Sequence, residues 1–221
     1  MIFPADDPRE ARMSCGSESI TLTRENHPVG ETPPPLLRKE GSWIKGRAGM
    51  EYRDLIPDRL GGKVVASHIR LTEGGEVPDY VHYHKIDFQV IYCLKGRIKV
   101  AYEVQGEPFW LETGDLVLQP LEIRHRVLEC TAGAEVIEIT SPAQHETWVE
   151  HDLKLPSANV TADREFGGRR FFRYRRRVDD RGARSAEESE LIDLAKTLFC
   201  ADGEAERIAV VTAFSRSLCQ K

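Results

Sequence analysis

Residues 75–96 read GEVPDYVHYHKIDFQVIYCLKG, and residues 114–125 read GDLVLQPLEIRH. The first stretch holds His82 and His84, one residue apart. Side chains on a strand alternate with a period of two, so both imidazoles share one face. The second stretch ends on His125, carried by a distant strand. Together the three make a facial set of nitrogen ligands for a divalent metal. Strand phase carries the reading further. With His82 and His84 inward, Tyr83 points out. Gln89, Ile91 and Cys93 share one face of the next strand, and Phe88, Val90 and Tyr92 share the other. Ile123 and Val127 fall on the side of His125. The inner set is three imidazoles, one amide and several apolar groups, the make-up of a small-ligand pocket.

Around these stretches the pattern is strand-like throughout. Segments at 63–71, 87–94, 97–103, 108–111, 116–119, 124–130 and 134–140 mix apolar and polar residues in near alternation. Gly74-Gly75, Lys95-Gly96, Gln105-Gly106, Gly114-Asp115 and Gly133 punctuate them. Many short strands at spacings of about ten residues predict an all-β sandwich or barrel.

The two quoted stretches resemble the paired motifs of the cupin superfamily. Gly75, the His82/His84 pair, position 89 and Gly96 match the first motif; Gly114, Pro120 and His125 match the second. The resemblance covers roughly Met50 to Pro156, about half the chain. It implies a double-stranded β-helix, a jelly-roll barrel, with one divalent metal ion (Fe, Zn, Mn or Ni) on His82, His84, Gln89 and His125. Two positions depart from the pattern. Gln89 stands where the family usually has glutamate, and Glu122 where it usually has glycine. A neutral amide leaves the full charge of a dication on neutral ligands, which favours a bound anion. Gln89 either ligates the ion or hydrogen-bonds a water in the site. The implied activity acts on a small organic molecule. It is dioxygenase-like with Fe(II), or Lewis-acid isomerisation or hydrolysis with Zn, Mn or Ni. Because a fold hosts many functions, the second reading is a non-catalytic ligand-binding module with a regulatory or sensing role. The resemblance also implies a homodimer paired through sheet edges.

The flanks read differently. Residues 1–49 lack apolar periodicity and contain Pro33-Pro34-Pro35, so a low-complexity, disordered arm is expected there, with Met50 as an alternative start. Residues 50–156 are the barrel. Residues 157–184 include FGGRRFFRYRRR and are expected as a basic linker. Residues 185–221 form a short helical hairpin extension. Ser185 and Glu188 make a capping box ahead of Leu191, Leu194, Ala195 and Leu198 at helical spacing. Asp202-Gly203 ends that helix, and Ile208, Val211 and Phe214 mark a second.

The net charge of −5 is mild and singles out no partner. The basic run is interspersed with acidic residues and lies outside any nucleic-acid module, so nucleic acid is not an expected partner. Cys15, Cys93, Cys130, Cys200 and Cys219 are scattered without a CxxC pair, which reads as reduced thiols. No apolar run reads as a signal peptide or membrane span, and the expected location is the cytoplasm. His68, His145 and His151 are expected outside the site, and Tyr92, Tyr102 and Trp110 as packing residues. Glu138, between Ile137 and Ile139, points either inward or outward.

Overall fold

The structure, a computed structural model, describes residues 43–161, 163–178 and 184–218, with the strand backbones at 2–3, 10–15 and 18–23. Its strands are β1 (Ile2–Phe3), β2 (Glu10–Cys15), β3 (Glu18–Thr23), β4 (Ile44–Lys45), β5 (Met50–Asp54), β6 (Val65–Leu71), β7 (Gly75–Glu76), β8 (His82–Lys85) and β9 (Phe88–Lys95). They continue as β10 (Arg97–Tyr102), β11 (Phe109–Glu112), β12 (Leu116–Pro120), β13 (His125–Cys130), β14 (Ala134–Ser141), β15 (Glu146–Val149), β16 (Glu165–Phe166), β17 (Arg169–Arg170) and β18 (Phe172–Tyr174). Two helices follow, α1 (Ala186–Cys200) and α2 (Glu204–Leu218).

Two antiparallel sheets face each other. One runs β11-β10-β13-β8-β15-β1-β2-β3, and the other runs β18-β12-β9-β14-β6-β5-β4. Their non-sequential neighbours are those of the expected jelly roll. The space between them is filled by Ile69, Leu71, Cys93, Ile98, Val100, Val117, Ile123 and Val136, among others. Burial pushes the Cys93 thiol up to about 12, so it stays a neutral, small core group. The described cysteines Cys93, Cys130 and Cys200 are all free.

The opposite face of the second sheet is also apolar. Phe88, Val90, Tyr92, Leu116, Leu118, Ile137 and Ile139 point away from the barrel interior, yet are buried. Leu191, Ile192, Leu194, Ala195, Leu198 and Val211 of the two helices cover them. The first helix begins as its capping box requires. Glu188 N donates to Ser185 Oγ at 3.1 Å, and Ser185 N donates to Glu188 Oε2 at 2.8 Å. Among the described residues no helix is long and apolar enough to cross a membrane.

Turns explain the motif glycines. Gly96 has φ +71°, and a Cβ there would meet Thr131 Oγ1 at 2.5 Å. Gly114 has φ +92°, and a Cβ would meet Arg176 Cδ at 2.4 Å. Glu122 shows that the turn before His125 survives without glycine, since it takes the same left-handed conformation at φ 57°. Its backbone N–H donates to His84 O at 3.0 Å, which ties this turn to the strand of the other two histidines. A non-glycine residue is strained in that region. Glu122→Gly is therefore expected to raise unfolding stability by about 1 kcal/mol, read as a higher urea midpoint at unchanged slope. A lowered midpoint would show that the Glu122 side chain contributes more than the backbone strain costs.

The flanks add structure around the barrel in three places. The barrel edge reaches back beyond Met50, because β4 pairs with β5. Trp43, just before it, lies under the guanidinium groups of Arg70 at 4.1 Å and Arg53 at 4.8 Å. Residues 157–184 are more than a linker. β18 is the edge strand beside β12, with Phe172 opposite Leu118 and Tyr174 opposite Leu116. Their aromatic side chains join the helix-covered face. Several arginines of that run find partners within the chain. Arg173 lies 3.7 Å over the Phe109 ring and donates to Trp110 O at 2.9 Å; Arg176 lies 4.1 Å over Phe199; Arg169 pairs with Glu187 at 3.2 Å. As for the arm, β1 to β3 extend the first sheet beyond β15. Of the disordered arm expected over residues 1–49, residues 24–42 lie outside the described residues.

Candidate metal centre

The strands bring the three histidines together through cross-strand register. His82 and His84 alternate with Tyr83 on β8, and His125 opens β13 directly opposite His82. All three are buried, and one ligating nitrogen from each lies within 4.8 Å of the others. The rings pack tightly, with centroids 4.3 Å apart for His82/His125, 5.1 Å for His82/His84 and 5.2 Å for His84/His125. Tyr83 points out, as phase requires, and stacks under Arg124 at 4.2 Å.

Each imidazole is oriented by an acceptor at its other nitrogen. His82 Nδ1 donates to Tyr80 O at 2.8 Å, and His125 Nδ1 donates to Ile123 O at 2.9 Å. A carbonyl can only accept, so these two rings carry hydrogen on Nδ1, which in the neutral tautomer leaves the lone pair on Nε2. His84 Nδ1 faces the Thr147 hydroxyl at 2.7 Å, which can accept in the same sense. Thr147 is the cross-strand neighbour of His84 on β15. Metal-binding histidines are held by partners of this kind. The donor set therefore fits a divalent ion: three buried imidazoles held at Nδ1, with one ligating nitrogen from each close to the others. They form the one such cluster among the described residues.

The opposite sheet supplies amides. Gln89 on β9 is paired with Gln119 on β12 and with Thr140 on β14. Gln119 Nε2 donates to Gln89 Oε1 at 2.6 Å, and Gln89 Nε2 donates to Thr140 Oγ1 at 3.1 Å. Tyr102, opposite His125 on β10, donates its hydroxyl to Gln119 Oε1 at 2.5 Å. Gln119 Nε2 also lies 3.3 Å from His125 Nε2. Gln89 thus sits on the site face, as its place in the first motif predicts, with its carbonyl oxygen accepting from Gln119.

Three residues need new places. Tyr102, expected as packing, belongs to this network and stacks on His125 with ring centroids 5.6 Å apart. Burial raises its hydroxyl pKa strongly, so it remains a donor. His145, expected outside the site, is half-buried, edge-on to His84 at 5.4 Å, with Nδ1 donating to Pro142 O at 3.0 Å. Gln119 was not singled out by sequence reasoning. Its signal was available: a polar residue in the apolar run LVLQP, in phase with Val117 and next to the motif proline. Glu138 shares strand phase with inward Val136 and Thr140, and so takes the inward alternative. His68 lies on the outer face, as expected, between Arg53 and Glu135. Burial lowers its pKa against the opposing pull of Glu135.

No protein-family model matches the chain, and no curated protein matches it by sequence. Among solved structures it is similar to an RmlC-like cupin from Shewanella frigidimarina, at 26% identity over 46% of this chain and 84% of that one, with a TM-score of 0.38. It is similar to KdgF from Halomonas sp., at 22% identity over 47% of this chain and 89% of that one, with a TM-score of 0.38. A variant of oxalate decarboxylase from Bacillus subtilis aligns at 18% identity over 46% of this chain, with a TM-score of 0.36; the chain spans 28% of that protein's length. On its own strand order and with three imidazoles converging from one sheet, the chain is a jelly-roll barrel, the fold that its resemblance to the cupin motifs implies.

Proposed function

We propose that the chain holds one divalent metal ion through Nε2 of His82, His84 and His125, and uses it on a small organic molecule bearing an anionic oxygen group. The observation that carries this reading is the convergence of the three buried rings, each held at Nδ1, with one ligating nitrogen from each within 4.8 Å of the others. A bound divalent ion would supply Lewis acidity or, as Fe(II), oxygen activation. The chain's own residues do the rest. Tyr80 O, Ile123 O and Thr147 Oγ1 lock the imidazoles. Gln89, with its oxygen engaged by Gln119, serves this wall in preference to ligating the ion. Ile91, Val100, Val117 and Ile123 line an apolar interior that keeps water out and strengthens polar contacts there.

Protein purified without a metal-binding tag is expected to carry close to one equivalent of a first-row divalent metal by elemental analysis. Metal-free protein with no uptake of Fe(II), Mn(II), Co(II) or Zn(II) would end this reading. Oxygen consumption by the Fe(II)-loaded protein with small diketones, phenols or carboxylates separates an oxygenase from the alternatives. Metal retention without turnover across that panel and a matched hydrolysis and isomerisation panel supports the ligand-binding module.

We further expect a cytoplasmic homodimer. Among the described residues, strands β4 and β18 end the second sheet, and the helices cover its outer face. Unpaired edges need cover, and pairing with a second copy provides it. Light scattering at tens of micromolar should return twice the 25.0 kDa chain mass. A monomer mass would show that the short edges are protected without a partner.

A further inference from the structure

Gln119 stands out because its orientation is determined from both ends. We infer that Gln119 selects the ligand of the three-histidine site, its side-chain N–H donating to a bound anion in preference to a neutral donor. The inference rests on the metal-binding reading above.

The geometry begins at Tyr102. Its buried hydroxyl donates to Gln119 Oε1 at 2.5 Å. With the amide oxygen held, the amide nitrogen must face the other way. One of its hydrogens goes to Gln89 Oε1 at 2.6 Å. Gln89 is itself held by its bond to Thr140 Oγ1 at 3.1 Å, so this acceptor stays in place. The second hydrogen faces Nε2 of His125 at 3.3 Å. That nitrogen carries the lone pair a metal would take, because Nδ1 of the same ring donates to Ile123 O. Coordination and this hydrogen bond compete for one lone pair. Once that lone pair is committed to a metal, the Gln119 N–H would be released for another acceptor. Among the described residues no carboxylate is grouped with the three histidines, although the buried Asp79 carboxylate lies 3.8 Å from His82 Nδ1. The released N–H favours an anion. A charge-assisted hydrogen bond is roughly twice as strong as a neutral one, and more so away from water.

The test uses Co(II) as a visible-absorption probe, with azide and acetate as anions and imidazole as the neutral donor. Gln119→Leu should take up Co(II) at least as tightly as wild type, since a competing hydrogen bond is gone. Its affinity for azide and acetate should fall about tenfold or more, with imidazole affinity little changed. Tyr102→Phe should keep Co(II) and lose a smaller part of the anion affinity, because the Gln119 amide is then free to turn. Wild-type anion affinity in Gln119→Leu overturns the inference while leaving the metal site standing. A wild-type protein that takes up no Co(II) overturns the metal reading itself. If Gln119→Leu fails to fold, Tyr102→Phe decides alone, and unchanged anion affinity in that variant rejects the role of Gln119.

Discussion

His84→Ala loses most of its metal. A structural four-ligand zinc site is worth roughly 10–16 kcal/mol, so one ligand carries about 3–4 kcal/mol. That is a drop in affinity on the order of a hundred- to a thousandfold. His84 is the suitable target because its orienting partner is the Thr147 side chain at 2.7 Å, and truncation there leaves the backbone bonds of β8 intact. The measurement is competition with a coloured chelator, run beside wild type and Gln89→Glu. The carboxylate of Gln89→Glu should hold or raise metal affinity and weaken anion binding, since it brings a negative charge to the site face. Wild-type affinity in His84→Ala would mean that these imidazoles are a polar cluster and nothing more.

Removing the helical pair has the largest effect on stability. A chain ended after residue 184 exposes Phe88, Val90, Tyr92, Leu116, Leu118, Ile137 and Ile139, all buried in the full chain. On the helix side alone, Leu191, Ile192, Leu194 and Leu198 are nearly fully buried. At roughly 1.5–3 kcal/mol per buried aliphatic side chain, their loss is about 6–12 kcal/mol, comparable to the whole stability of an ordinary domain. The truncated chain should therefore aggregate, or bind a hydrophobic dye and melt without a cooperative transition. Leu198→Ala is the milder version, with an expected loss of about 3 kcal/mol at an unchanged fold. A truncated chain with a sharp transition near the full-length midpoint would show that the helices are a separable appendage.

The site was legible wherever local periodicity carried the information. His82 and His84 share a face because strands alternate, and Gly96 and Gly114 mark turns that no Cβ fits. The Ser185/Glu188 capping box lies within four residues, so its geometry depends on nothing distant. Gln89 was placed on the right face by the same alternation. What it bonds to could not be read, because Gln119 and Thr140 reach it from strands 30 and 51 residues away.

The amino-acid sequence by itself determined the strand period, the turns, the inward set of histidines and the two helices, because each is a matter of neighbours along the chain. Only the tertiary structure decided where the helices pack, that Phe172 and Tyr174 lie on the edge strand beside β12, and that Tyr102 and Gln119 complete the wall facing the three histidines. Those outcomes depend on which apolar faces find one another and on cross-strand register. The outward row of Phe88, Val90 and Tyr92 called for a cover, since a sheet apolar on both faces cannot leave one in water. Which segment supplied it was settled by packing, where Leu191, Leu194 and Leu198 meet that row.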